Sequence, residues 1–312
     1  MKVLFHTHTL NFRGTAVAVY DYAKYNQEIL GNESVICYNA SVPQEVDVST
    51  ESDVVELFKK QFQVVSYTSD SELQTLCDGI DVAYFIRYGH NEPLPNVRTA
   101  VHAVFQAYEP HGDRYAYVSE WLSKKMGHDV PFVPHIVTLP EPTEDFRHKL
   151  NIPKDKMVIG RIGGYMTFDL PFVKKQLTEF LQKNDDYVFL MANTEPFIKH
   201  PNVRYINSIV DRQKKSNFIN TCDAMLHARQ RGESFGLSIC EFLFHNKPVL
   251  AWEGGVDLNH VHLLKKTGLL YNEDNFIDKL QSINSYPNDF KSIVKQFEPE
   301  AVMKKFNEVF IK

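Results

Sequence analysis

Two glutamates in one segment have the types and spacing that best suit ligand chemistry. Residues Arg231–Trp252 read RGESFGLSICEFLFHNKPVLAW, with seven residues between Glu233 and Glu241. Glu241 lies in an apolar run that is predicted to be helical, where a carboxylate is costly unless hydrogen-bond donors reach it. Sugar hydroxyls of a bound ligand are such donors, and the two hydroxyls of a ribose suit a carboxylate well.

The loop before this predicted helix favours a second ligand contact. Backbone N–H groups at a helix N-terminus point at any anion placed there. The peptides of Ser234–Leu237 are therefore expected to meet a phosphate or a sugar hydroxyl, while Glu233 meets the other end of a hexose. The alternative interpretation is a solvated loop acid followed by a helix with one partly exposed glutamate.

This segment resembles the E-x7-E motif of retaining GT-B glycosyltransferases, in particular glycosyltransferase family 4. The family shows a Glu, a Phe-Gly-Leu turn, a second Glu in an apolar helix, a Lys-Pro-Val strand and a Gly-Gly turn. The matching residues here are Glu233, Ser234 beside it, Phe235, Gly236, Leu237, Glu241, Lys247, Pro248, Val249, Gly254 and Gly255, followed by a strand at Thr267–Leu270. The resemblance implies that Glu241 binds the ribose and Glu233 the hexose of a nucleoside diphosphate sugar.

A second match is the segment IGRIGG, which ends a predicted strand. It resembles the family's Gly-Arg segment, which implies that Arg161, with Gly163 beside it, contacts the donor diphosphate. A guanidinium suits this role because it stays charged and binds phosphate oxygens in pairs; a surface arginine on a loop is the alternative. The sequence departs from the family at Met166, where a lysine is usual. Arg229, Arg231 or the glycine-rich backbone are candidates to replace that lysine.

Two positions in the first half match the family more loosely. The segment NFRGT follows the first predicted strand and resembles the family's glycine-containing loop, which places Gly14 among the donor-binding residues. His102 ends another predicted strand and resembles the histidine that lies beside the transferred sugar. An ordinary turn and a structural histidine are the alternatives. The loop lacks the GxGxxG pattern, so a dinucleotide cofactor is disfavoured.

Composition narrows the class of protein. The chain has 312 residues, a net charge of −5 and a pI near 6.2, so a phosphate-tracking nucleic-acid binder is disfavoured. Four scattered cysteines predict buried, reduced thiols. The N-terminus has only a short apolar run, and no stretch is long enough to span a bilayer. We expect a cytoplasmic protein, and nothing in the sequence supports peripheral contact with a membrane.

No metal or other cofactor is expected. His6 and His8 end the first predicted strand, but no acid lies near them in the sequence to complete a metal site. Asp78 and Asp81 are three residues apart and do not form a DxD motif. The family resemblance implies that protein cations and helix dipoles, rather than a bound metal, handle the diphosphate.

Short β-branched or aromatic runs alternate with amphipathic stretches, which predicts parallel sheets with crossover helices. The predicted strands are Lys2–His6, Ser34–Tyr38, Val82–Ile86, Thr99–Ala103, Tyr115–Val118, Lys156–Ile162, Tyr187–Met191, Val203–Ile206, Ala224–His227, Val249–Ala251 and Gly268–Tyr271. The predicted helices are Thr15–Leu30, Ser52–Lys60, Glu72–Asp78, Glu120–Met126, Pro171–Lys183, Lys214–Thr221, Leu237–His245, Phe276–Ile283, Asp289–Gln296 and Pro299–Phe310.

The predicted fold class is α/β, GT-B, with two Rossmann-like doubly wound domains facing across a cleft. Residues 1–138 would form an acceptor-side domain, 139–290 a nucleotide-sugar domain, and 291–312 a C-terminal helix that crosses back to the first domain. A proline-rich linker, PFVPHIVTLPEPTE, would join them. Open α/β sheets bind ligands at the carboxyl ends of their strands, so the cleft is the expected site.

The function predicted from the resemblance is transfer of a hexose from a nucleoside diphosphate sugar to a glycan, lipid or small-molecule acceptor, with retention of anomeric configuration. One alternative is a silent protein that binds sugar nucleotides without turnover, to which the missing lysine at Met166 would contribute. A GT-B epimerase or phosphorylase is another alternative. A dehydrogenase ranks below these because the glycine fingerprint is lacking.

Overall fold

The computed structural model describes residues 1–11, 13–42, 49–127, 129–286 and 289–312. The chain forms two compact units: unit 1 comprises Met1–Ile136 and Gln296–Lys312, and unit 2 comprises Val137–Lys295. Each unit is built on a parallel six-stranded sheet with helices between the strands. The predicted α/β class with two doubly wound sheets is therefore confirmed.

Unit 1 follows the classical dinucleotide-fold strand order. The order is β3-β2-β1-β4-β5-β6, and every adjacent pair is parallel. Its strands are β1 Lys2–Thr7, β2 Glu33–Asn39, β3 Gln63–Tyr67, β4 Val82–Arg87, β5 Thr99–Ala103 and β6 Arg114–Tyr117. Its helices are α1 Gly14–Glu28, α2 Ser52–Lys59, α3 Asp70–Leu76, α4 Glu120–Met126 and, after unit 2, α11 Pro299–Phe306.

Unit 2 repeats this arrangement. Its main strands are β7 Met157–Ile162, β8 Tyr187–Ala192, β9 Val203–Ile206, β10 Ala224–His227, β12 Val249–Trp252 and β14 Leu270–Tyr271, and a second small sheet pairs β11 Gly232–Glu233 with β13 Asp257–Leu258. Its helices are α5 Pro171–Leu181, α6 Arg212–Thr221, α7 Leu237–Phe244, α8 Asn259–Leu264, α9 Phe276–Gln281 and α10 Lys291–Val294. The order β14-β12-β10-β7-β8-β9 makes β7 and β10 neighbours, so the winding direction reverses between them.

The central strands form because their sequences bury both faces. Every residue of β4, VAYFIR, is buried, as expected for a parallel strand that is covered by helices on two sides. Local signals set several helix ends. Ser119 caps α4 by accepting from the Leu122 amide, and Gly127 ends that helix with a φ of 69°. Asp211 caps α6 through the Lys214 amide.

The C-terminal segment is part of the core of unit 1. Phe306 of α11 stacks on Tyr22 with ring centroids 5.1 Å apart and lies 5.3 Å from the ring of Tyr84. A π-helical turn, Asn307–Ile311, follows and places Phe310 5.5 Å from the Tyr84 ring. These aromatic contacts anchor the end of the chain to the first sheet.

Four features differ from the sequence prediction, and one of them is the short helix α8, which was not predicted. Strand β3 was not predicted, because QVVSY is a partly exposed strand at the edge of the sheet. Strands β11 and β13 are two residues long, too short to show a period. The predicted helices at Asp289–Gln296 and Pro299–Phe310 were too long: α10 gives way to a 3-10 turn at Lys295–Phe297, and α11 gives way to the π-helical turn.

The proline-rich segment predicted as a linker begins as part of unit 1. Phe132 forms a parallel bridge with Tyr117 of β6, and the Val133 amide donates to the Tyr117 carbonyl at 2.8 Å. Further along the segment, Val137 and Leu139 are buried. Apolar side chains and sheet pairing therefore fix much of a segment whose prolines prevent regular secondary structure.

Candidate functional site

The carboxyl edge of unit 2 is the surface at which the strands of its main sheet end. At the reversal of winding, β7 ends at Ile162 and the neighbouring β10 ends at His227. Nine residues separate the end of β10 from the start of helix α7 at Leu237. Ligands of open α/β sheets bind at such a reversal, beyond the carboxyl ends of the strands.

Glu241 is buried in α7 and forms an ion pair within the protein. Its Oε1 lies 2.8 Å from Nζ of Lys215, and the side chains are 5% and 12% exposed. Lys215 comes from the start of α6, so two helices of unit 2 contribute to the pair. The sequence predicts that a carboxylate here needs a hydrogen-bond donor. The structure supplies Lys215 as that donor, which the sequence argument did not anticipate.

The second oxygen of Glu241 remains open. Among the described residues, the carboxylate accepts one side-chain hydrogen bond, which goes to Oε1. Oε2 has no such bond and is not completely buried. Oε2 therefore keeps contact with solvent. A carboxylate held at one oxygen and accessible at the other is a fixed acceptor for a single hydroxyl or N–H group of a ligand.

Glu233 is the centre of a charge cluster, which we define as Glu233, His227, Arg229 and His260. Nε2 of His227 and Nη1 of Arg229 each lie 3.1 Å from one of the carboxylate oxygens. Burial alone would raise the pKa of Glu233, but the charge of Arg229 and the hydrogen bond from His227 lower it to about 2. Glu233 is therefore an ionised hydrogen-bond acceptor throughout the physiological pH range.

His260 of α8 supports the backbone of this cluster. Its Nδ1 accepts from the Glu233 amide at 3.3 Å, and its Nε2 donates to the Trp252 carbonyl at 2.9 Å. Burial lowers the pKa of His260 to about 4, so the ring is neutral with its proton on Nε2. The ring thereby joins the end of β12 to β11 and fixes the position of Glu233.

The start of α7 lies against Glu233. Gly236, the residue before the helix, has a φ of 90°, which favours glycine. A Cβ at this position would meet Cβ of Glu233 at 3.3 Å. Among the described residues no side chain caps α7, so its first N–H groups remain available for an anion.

Arg161 follows the same edge but is buried in its own loop. Its Nη1 donates to the carbonyls of Ala192 and Asn193 and to the hydroxyl of Thr194. Its Nη2 donates to the carbonyl of Gly164 and the hydroxyl of Thr167, both at 2.7 Å. The residue is only 3% exposed. These contacts favour a role in joining the loops after β7 and β8 over the expected contact with phosphate.

Gly163 and Met166 complete that loop. A Cβ at Gly163 would meet Nη2 of Arg161 at 3.0 Å, so glycine is needed there to let the guanidinium approach the backbone. Met166, at the position of the usual lysine, is 64% exposed. The loop therefore presents an apolar side chain to solvent where the family resemblance implied a cation.

The two candidate residues of unit 1 lie in different surroundings. Gly14 begins α1, and a Cβ there would meet no atom within 4 Å, so packing does not explain the glycine. The neighbouring Phe12 lies outside the described residues. His102 is fully buried in β5, bonded through Nδ1 to the Tyr84 hydroxyl at 2.6 Å, with the Phe310 ring 5.2 Å away. These contacts favour a structural role for His102.

Within unit 2 the structure brings Glu233, Gly236 and the start of α7 together, with Glu241 in the second turn of that helix. Sequence reasoning missed three side chains at this edge: Lys215, His227 and His260. His227 ends a strand and could have been identified by that position. Lys215 and His260 carry no such signal, because only the packing of α6 and α8 brings them to the two glutamates.

The described residues contain neither a metal-binding cluster nor a membrane-spanning helix. No group of three or more histidine, cysteine, aspartate or glutamate side chains is arranged to hold a metal ion in the part of the chain that the structure describes. Nor does any helix among those residues have the length and hydropathy needed to cross a bilayer. His6 of β1, considered above with His8, instead bonds the Tyr67 hydroxyl at 2.8 Å.

Solved structures with a similar architecture include glycosyltransferases. A glycosyltransferase from Rickettsia africae superposes with a TM-score of 0.71 at 15% identity, over 99% of this chain and 97% of that chain. Anabaena HepE in complex with UDP-glucose superposes with a TM-score of 0.74 at 12% identity, over 99% and 98%. The fold is GT-B.

A third similar structure is a mutant of S. aureus TarM in complex with Fondaparinux, α-GlcNAc-glycerol and UDP. It superposes with a TM-score of 0.69 at 11% identity and covers 100% of both chains. The sequence itself matches no protein-family model and no curated protein.

Because the ion pair of Lys215 and Glu241 is buried, removing only one of its two charges should destabilise unit 2. Lys215→Met should lower the free energy of unfolding by about 3 kcal/mol, because it leaves a buried carboxylate without its cation. Adding Glu241→Gln should recover part of that loss. Urea unfolding measures both free energies. Lys149→Met, which breaks an exposed ion pair with Glu144, is the control and should change the free energy of unfolding by about 0.5 kcal/mol or less. Equal effects of the two lysine variants would contradict the assignment.

His102 should make unit 1 sensitive to acid. Burial lowers the pKa of His102 to about 3, whereas its pKa in the unfolded chain is about 6.5. Between these two values the imidazole is protonated in the unfolded chain and neutral in the folded chain. Stability therefore falls as pH falls, by about 1.4 kcal/mol per unit for this group. His102→Asn should reduce the slope between pH 5.5 and 4.5 by about that amount. Trp121 fluorescence in a Trp252→Phe background follows unit 1, and identical slopes would count against this account.

Proposed function

We propose that this chain binds a nucleoside diphosphate sugar at the carboxyl edge of unit 2 and transfers its hexose to an acceptor with retention of anomeric configuration. The acceptor is a glycan, a lipid or a small molecule that carries a free hydroxyl group. The reaction needs no metal. Binding uses the two glutamates, the start of α7 and the arginine of the Glu233 cluster.

The observation that carries this proposal is the state of the two carboxylates. Glu241 presents Oε2 to solvent from a position fixed by Lys215, which suits one hydroxyl of a ribose. Glu233 is ionised and anchored one turn before α7, which suits a hydroxyl of the hexose. The uncapped N–H groups at the start of α7 lie between these two positions along the chain, where the diphosphate joins ribose to hexose.

The solved structures of the same fold support the class of substrate. HepE was crystallised with UDP-glucose, with UDP and glucose, and with UDP alone. The TarM mutant was crystallised with UDP and a GlcNAc-bearing glycerol. Sugar nucleotides and sugar acceptors are thus known ligands of proteins with this architecture, at identities that leave the hexose and the nucleobase of this chain open.

In the proposed reaction the bond between the anomeric carbon and the β-phosphate oxygen breaks, and its electron pair stays on the diphosphate. The acceptor hydroxyl forms the new bond on the same face and gives its proton to the departing oxygen. The protein holds the donor and stabilises the negative charge of the diphosphate, so catalysis rests on positioning and electrostatics. The α7 N–H groups are preorganised for that charge because the backbone already points them outward.

A second candidate function is sugar-nucleotide binding without transfer. The exposed Met166 and the hydrogen bonds that hold Arg161 in its loop both remove cations that a transferase of this family would use. Such a protein would bind the donor and show no turnover with any acceptor. Turnover assays that follow binding assays on the same donor separate the two functions.

Donor binding should depend on Glu241. In a thermal-shift screen, at least one of the UDP-, GDP- and ADP-sugars should raise the melting temperature of the protein. Glu241→Gln should weaken that nucleotide by about 10- to 100-fold, the scale of losing a charged hydrogen bond. Glu179→Gln, on the exposed face of α5, is the control. Calorimetric affinities that do not change in Glu241→Gln would exclude the ribose contact.

Transfer should continue in a chelator. The groups that we place at the diphosphate are a cationic side chain and helix N–H groups of the protein, so EDTA removes nothing that the reaction needs. The rate of diphosphate release from the donor identified in the screen should be the same with and without EDTA. Loss of activity in EDTA with recovery on adding manganese or magnesium would show that the diphosphate site is a metal site.

A further inference from the structure

Three arginines lie at or just beyond strand ends at the carboxyl edge of unit 2. Arg161 lies in β7, and Arg229 and Arg231 follow β10. A guanidinium carries five N–H donors, and only those left over by the protein can bind a ligand. The three residues differ in how those donors are used.

Arg161 and Arg231 are both committed to the fold. At least five hydrogen bonds to described residues hold Arg161 to the end of β8 and to the loops after β7 and β8, and the residue is almost completely buried. Nε of Arg231 donates to the fully buried Asp257 at 2.7 Å, and the Arg231 carbonyl accepts from the Val256 and Asp257 amides. Arg231 thus anchors the small sheet of β11 and β13.

Arg229 uses one edge of its guanidinium and leaves the other open. Its Nη1 donates to Oε2 of Glu233 at 3.1 Å, and the side chain is 25% exposed. Among the described residues Nε and Nη2 make no hydrogen bond, and neither is one of the fully buried atoms without a partner. Both atoms therefore face solvent, on a side chain that Glu233 holds in place.

Arg229 and the start of α7 both contact Glu233. Cβ and Cγ of Glu233 pack against Gly236, at the start of α7, and Arg229 binds the head of the same glutamate. The free N–H groups of Arg229 are thus one side chain away from the free N–H groups of α7. Two sets of donors beside one glutamate, on a guanidinium and at a helix N-terminus, favour a doubly charged diphosphate over a neutral ligand.

We propose that Arg229 is the cation that binds the diphosphate of the donor, and that Arg161 only shapes the loop beside it. This proposal rests on the function proposed above. Arg229 would bridge Glu233 on the hexose side and the phosphate oxygens on the nucleotide side, which links sugar recognition to charge neutralisation. In place of the lysine that is absent at Met166, the chain would use a cation that follows β10, the strand beside β7 in the sheet.

The affinities of the protein for UDP and for uridine test this assignment. If the screen selects another base, GDP and guanosine or ADP and adenosine are compared instead. Arg229→Gln should weaken binding of the diphosphate by about 10- to 100-fold and leave the nucleoside unchanged, because only the diphosphate carries the charge. Arg229→Lys should recover part of the loss. Arg147→Gln, which breaks an arginine–aspartate pair elsewhere in unit 2, is the matched control and should change neither affinity.

A double variant separates direct contact from an effect through Glu233. If Arg229 acted only by neutralising Glu233, then Arg229→Gln combined with Glu233→Gln would restore diphosphate affinity. Direct contact predicts that the loss persists in the double variant. Raising the salt concentration should weaken diphosphate binding less in Arg229→Gln than in the unmodified protein, because one charge contact has been removed.

The results of these binding experiments distinguish failure of the proposed function from failure of the Arg229 assignment. Unmodified protein that binds no nucleoside diphosphate overturns the proposed function and this inference together. Diphosphate binding that is unchanged in Arg229→Gln, or restored in the double variant, overturns the inference alone. A selective loss with Arg161→Lys, in a folded protein with an unchanged melting temperature, would return the role to Arg161.

Discussion

Removing a carboxylate from water is costly, and unit 2 does so twice within nine residues of sequence, at Glu233 and Glu241. Each carboxylate is stabilised by a cation from another element: Lys215 of α6 for Glu241, and Arg229 after β10 for Glu233. These pairs determine what the edge can bind. They keep Glu233 ionised and leave one oxygen of Glu241 and one edge of Arg229 for a ligand.

The same constraint explains the neighbouring backbone. His260 holds the Glu233 amide and the Trp252 carbonyl, and so requires α8 and the end of β12 to lie beside β11. Gly236 lets the start of α7 approach the Glu233 side chain. Arg161 organises the adjacent loop with hydrogen bonds to carbonyls and hydroxyls. The edge is therefore rigid before any ligand arrives, which reduces the entropy lost on binding.

Much of the fold followed from the sequence, because buried parallel strands such as β4 show continuous apolar runs and the helices between them show regular periods. The small sheet of β11 and β13 did not, since two-residue strands have no period. The motif glutamates were identifiable from their spacing, but the partners of Glu241 and Glu233 depend on packing between elements. Arg161 shows the limit most clearly: its position after a strand suggested a ligand contact, whereas its burial assigns its donors to the protein.

The central claim is that the carboxyl edge of unit 2 holds a nucleoside diphosphate between Glu241 and Glu233. A crystal structure of the protein with UDP-glucose, or with the donor that the thermal screen selects, tests it most directly. We expect a ribose hydroxyl on Oε2 of Glu241, with Lys215 still on Oε1, and the diphosphate on Arg229 and the first N–H groups of α7. A nucleotide bound elsewhere, or with its diphosphate on Arg161 and no contact to Glu241, would contradict it.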